Sequence, residues 1–133
     1  MAVAALTTLR SSRDPAQTLA RLVTEVEARG MTVFARIDHA AGAKEAGLPL
    51  RPTTLVIFGA AKGGTPPMQL TQTIGIDLPL KALVWQDASG DTWLSYNEPG
   101  WIANRHSLDG GAAASIEGMT AALAAVANAA TSS

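Results

Sequence analysis

From Pro15 to Gly30 the apolar residues Leu19, Leu22, Val23 and Val26 recur at i, i+3, i+4 and i+7, one stripe of an amphipathic helix. Asp14-Pro15-Ala16-Gln17 supplies its start, with a capping carboxylate, a proline at the first helical position and a glutamine placed to reach back. Arg21 and Glu25 sit four residues apart on the polar side, and Gly30 provides the stop. Upstream, residues 2 to 10 alternate loosely and predict a strand. Downstream, the odd positions Met31, Val33, Ala35 and Ile37 predict one face of a half-buried strand ending at Asp38.

Residues 40 to 46 are alanine-rich and suit a short helix, which Gly47, Pro49 and Pro52 terminate. Thr53 to Phe58 is apolar almost without alternation, as expected of an interior strand covered on both faces or lying at an interface. Gly59 to Gly64 reads as a turn, Thr65-Pro66-Pro67 as the cap and first turn of a helix, and Gly75 as its end. Leu80 to Trp85 and Thr92 to Tyr96 are strand-length runs, and the Asp87–Asp91 stretch with its glycine between them favours a hairpin. A helical turn over Trp101 to His106 follows, then a final helix capped by Ser115 in which Ile116, Met119, Thr120, Leu123, Val126 and Ala127 recur at helical spacing.

A length of 133 residues fits one domain over 1–133 with a core of its own. The 47% hydrophobic and 16% charged content argues against disorder and leaves apolar surface for self-association, so a homodimer is expected. A net charge of -1 without basic runs lacks the footprint of a nucleic-acid binder. Without cysteine there is no disulfide, thiolate nucleophile or thiolate-held metal. The N-terminal apolar stretch is too short for a signal core, and the alanine-rich C-terminal segment, interrupted by Asn128, is expected to fall short of a bilayer span. The expectation is a cytoplasmic protein with no membrane partner.

Several separated segments together resemble the domain of unknown function 302 family. They are Phe34 to Ala41, Leu50-Arg51-Pro52, Phe58-Gly59, Gly64-Thr65 with Met68, Asp77-Leu78-Pro79-Leu80-Lys81, Tyr96-Asn97 and Arg105-His106. The resemblance spans nearly the whole chain. It implies an α+β domain of β-α-β(4)-α type, an antiparallel sheet packed against helices with TATA-binding-protein-like architecture, and homodimers. It implies no activity, since one fold hosts many.

Two dipeptides carry titratable chemistry, Asp38-His39 after the second strand and Arg105-His106 far along the chain. If they meet, Asp38, His39, Tyr96, Arg105 and His106 line a groove for a small polar or anionic ligand. An enzyme would use His39 or His106 as general acid/base, oriented by Asp38, with Arg105 holding an oxyanion. The third alternative is a scaffold whose product is its interaction surface. The simpler local account makes Asp38 a helix cap and sets Arg105 and His106 on helix-end carbonyls or in solvent. With two histidines and no clustered ligand spacing no metal site is expected, and no cofactor can be named. The Gly59–Thr65 loop places Lys62 before its last glycines, the wrong order for a P-loop, and reads as a structural turn. Asp77 reads first as a turn residue, with Lys81 within reach of it.

Overall fold

The computed structural model describes residues 2–108 and 110–133. Its strands are β1 (Leu6–Ser11), β2 (Thr32–Asp38), β3 (Thr53–Gly59), β4 (Leu80–Gln86) and β5 (Thr92–Asn97). They form one antiparallel sheet in the order β1-β5-β4-β3-β2. The helices are α1 (Pro15–Ala28), α2 (His39–Glu45), α3 (Ala61–Leu70), α4 (Pro99–Arg105) and α5 (Ala113–Thr131), and a 3-10 turn over Gln72–Ile76 leads into β4. With α2, α3 and α4 set aside as short connections, the order is the expected β-α-β(4)-α.

Local signals place most of these elements. Asp14 Oδ1 accepts from the Gln17 amide at 2.7 Å, Pro15 opens α1, and Gly30 follows its end with φ of +79°. At the β4–β5 turn, Asp87 Oδ1 accepts from the amides of Ser89 and Asp91, both at 2.9 Å, and Gly90 takes φ of +86°.

Three expectations are corrected. Helix α3 starts at Ala61, so Thr65 is not its cap and Pro66 and Pro67 lie inside it. The Gly63 and Gly64 amides both bond the Ala60 carbonyl, closing a turn before the prolines are reached. Helix α5 starts at Ala113 behind a 3-10 turn, which leaves Ser115 within the helix. In β2 the register shifts between Val33 and Ala35, so Val33 pairs with Phe58 while Ala35 pairs with Ile57. The bulge breaks the period of two and sends Ala35 and Ile37 to the face opposite Val33.

Helices α1 and α5 cover one face of the sheet. Leu22 and Val26 from α1, Leu123, Val126 and Ala130 from α5, and Val56, Phe58, Ala82, Val84 and Leu94 from the strands make the core there. Over Gly110–Thr131 the last helix is long and apolar enough, by length and composition, to cross a membrane, so Asn128 does not interrupt it as expected. In this fold its apolar stripe is buried against the sheet and α1.

The other face carries a row in which Ile37 pairs with Leu55, Leu55 with Leu83, Leu83 with Ser95 and Ser95 with Thr8. Beside it Trp85 stacks on Trp93, centroids 6.1 Å apart, with Trp85 Nε1 donating to Ser95 Oγ and Trp93 Nε1 to Asp87 Oδ2. In this row Ile37 is exposed, Leu55 and Leu83 are half-buried and Ser95 is buried. The unbroken apolar character of β3 therefore reflects α1 and α5 on one side and this partly exposed row on the other.

Candidate functional site

The segment from Thr71 to Pro79, between α3 and β4, has two working sides. A 3-10 turn brings Thr73 and Asp77 to one of them, where the C-terminal end of α4 delivers Arg105 and His106. Arg105 Nη1 donates to both Asp77 oxygens at 3.0 Å, and His106 Nε2 lies 2.5 Å from Asp77 Oδ2. The other ring nitrogen, Nδ1, is 3.0 Å from Thr73 Oγ1. Lys81 Nζ donates to the backbone carbonyls of Asp77 and Pro79 at 3.3 and 3.1 Å, not to the carboxylate.

The protonation states follow from the partners. Burial alone would raise the Asp77 carboxyl, but the His106 hydrogen bond and the Arg105 charge outweigh it and hold the group below its ordinary value. The ionised carboxylate can only accept, so Nε2 carries a proton. In the neutral ring Nδ1 is then left to accept from the Thr73 hydroxyl. His106 is well enclosed, with 9% of its side chain exposed, whereas Thr73 stands at the surface. Burial also pushes the Lys81 ammonium down, against the pull of Asp77.

On its other side the segment walls a cavity of about 420 Å³. Met31 just before β2, Phe34 within it, Met68 from α3, Leu78 and Pro79 from the segment, and Met119 from α5 supply its bulk. Small residues supply its width: at Gly63 and Gly118 an added Cβ would meet nothing within 4 Å. Ser115 has the one polar side chain of the lining. All three methionines among the described residues face this space, and unbranched thioether side chains adapt to varied shapes.

The five residues expected in one groove are not together. Asp38 pairs with Thr54, and Thr54 with Val84, whereas Asp77 precedes Leu80. Leu80 and Val84 are separated by roughly 13 Å of strand at about 3.3 Å per residue. Asp38 and His39 therefore occupy one end of the sheet, Arg105 and His106 the other. Asp38 caps α2 by accepting from the Ala41 amide at 2.9 Å, His39 is exposed, and Tyr96 is buried in the core opposite Thr7. Asp38 is thus not the orienting carboxylate of either histidine, and Arg105 is engaged by Asp77 instead of being free for an anion.

Residue spacing did not single out Thr73, and it ranked Asp77 as a turn residue. The available signal was that Asp77-Leu78-Pro79-Leu80-Lys81 and Arg105-His106, two separate segments of the family resemblance, meet here. The cavity had no signal, because its wall is built from residues that read as turn, core and helix. Among the described residues no group of three or more His, Asp or Glu is placed to hold a metal ion.

The fold and site define a small α+β domain of β-α-β(4)-α type, with an apolar cavity and a histidine–carboxylate cluster sharing one wall. The chain belongs to the family described as domain of unknown function DUF302, whose model matches residues 7–126. A crystal structure of an uncharacterized conserved DUF302 protein from Bacillus stearothermophilus superposes with a TM-score of 0.85, covering 96% of this chain and 99% of that one at 19% identity. At that identity the likeness establishes the fold alone.

The chain is also 52% identical over 103 residues to proteins named fluoride-specific ion channel FluC 1 from Brucella suis biovar 1 (strain 1330) and from Brucella abortus biovar 1 (strain 9-941). These matches cover 77% of this chain but 41% and 38% of the relatives, so the chain spans about two fifths of their length.

Proposed function

We propose that this chain is a homodimeric domain that binds a small, predominantly apolar molecule. The observation that carries the binding reading is the cavity of about 420 Å³, within the size range of small-molecule sites and lined by methionine, phenylalanine and glycine instead of being filled. A polar or anionic ligand is less well served, because the Arg105 charge is already matched by Asp77 and the lining has a single hydroxyl.

The test is a thermal-shift series with linear alcohols and carboxylic acids of increasing chain length, on wild type and on Gly118→Leu, whose new side chain would occupy the cavity. Stabilisation should grow with chain length and then fall once the chain outgrows the space, and Gly118→Leu should lose it. Equal shifts in the two proteins, or none in wild type, would remove the cavity from the function.

The second sheet face supports the dimer. Ile37, Leu55, Leu83 and the Trp85–Trp93 stack give a contiguous apolar surface, and a second copy would bury it. The Brucella relatives favour a second reading, in which a domain of this kind accompanies a membrane channel. Co-purification of this chain with a separately expressed fluoride channel, lost when Leu83→Lys disrupts the face, is the expected result under that reading.

A further inference from the structure

Thr73, His106 and Asp77 form a hydroxyl–imidazole–carboxylate chain with links of 3.0 and 2.5 Å, and we infer that it is a nucleophilic acyl-transfer site acting on small activated esters. The inference does not rest on the cavity reading, since the chain lies on the other side of the Thr71–Pro79 segment.

Nucleophilic catalysis requires a hydroxyl within hydrogen-bond reach of a base that a third group holds in position. Thr73 is exposed, as an attacking group must be, while the imidazole behind it is enclosed and aimed. Asp77 keeps the proton on Nε2, so Nδ1 faces the hydroxyl as an acceptor. The carboxylate is in turn fixed by two bonds from Arg105 Nη1.

The step balances without a co-reactant beyond water. Thr73 Oγ1 bonds to the ester carbonyl carbon as its proton passes to His106 Nδ1. The carbon–oxygen bond to the alcohol breaks, and the departing alkoxide takes that proton. Water, deprotonated by Nδ1, then attacks the acyl-threonine, releasing the carboxylic acid and restoring the hydroxyl. Asp77 stabilises the imidazolium at each stage.

The experiment uses p-nitrophenyl acetate with the full chain, followed by fragmentation of the tryptic peptide Gly63–Lys81, which holds Thr73. The expected result is a burst of p-nitrophenolate approaching one per chain and an acetyl group on Thr73. Thr73→Val should abolish the burst, since it removes the oxygen that is acylated, His106→Gln should slow it by about 100-fold, in line with a general-base contribution, and Thr73→Ser should keep it. Because Thr73 is exposed, Thr73→Val should melt with the wild type, which separates lost chemistry from lost folding. The burst is read with no cavity ligand present, so failure of the cavity reading leaves this one standing. Lys81 ends the same peptide and burial lowers its ammonium, so acetyl found only on lysine, or a Thr73→Val burst within about twofold of wild type, overturns the inference.

Discussion

Asp77 joins three elements through one side chain and one carbonyl. Its carboxylate accepts from Arg105 and His106 at the end of α4, and its backbone oxygen accepts from Lys81 on β4. Its carboxyl titrates below the ordinary range in the folded chain, so the stabilisation is complete above the unfolded value of about 3.8 and is lost as pH falls through the lower folded value. Asp77→Asn should therefore be less stable than wild type at neutral pH, and the gap should close as the medium is acidified through the carboxylate range. Urea titrations at pH 7 and near pH 3 measure this, and a constant gap would assign the loss to packing. Of this residue only the turn role could be read along the chain, because its partners lie 28 and 29 positions away.

At the scale of elements, adjacent residues were the reliable guide. Helix α1 is written in its own caps and stripe, and Asp14→Ala should cost about 1 kcal/mol, read as a lower urea midpoint with an unchanged slope. The β4–β5 hairpin is equally local. Helix α3 resisted the same reasoning because its first turn, Ala61 to Gly64, is made of residues that usually mark a turn, while its prolines suggested a later start. Strand β2 resisted it because a bulge is a property of the pair. The shift between Val33 and Ala35 is defined against Phe58 and Ile57, residues that alternation within β2 does not see.

At the scale of the molecule, the sheet has one face under α1 and α5 and a second face that carries the Ile37–Leu55–Leu83 row. If a second copy covers the latter, Leu83→Lys at its centre should convert a dimer to a monomer in sedimentation at micromolar concentration, with little change in the helical signal. A wild-type monomer at that concentration would contradict the dimer. The cavity belongs to this scale as well, since its walls come from β2, α3, the segment before β4, and α5.

The chain's own order of residues was sufficient for the α+β class, the capped first helix, the hairpin and the family resemblance, because caps, turns and periodic stripes act over a few positions. Tertiary structure alone decided that Asp38 and His39 stand apart from Arg105 and His106, that Asp77 is the carboxylate beside His106, and that a cavity opens behind it. Strand register and helix docking set those distances, and both depend on pairings between residues far apart in the chain.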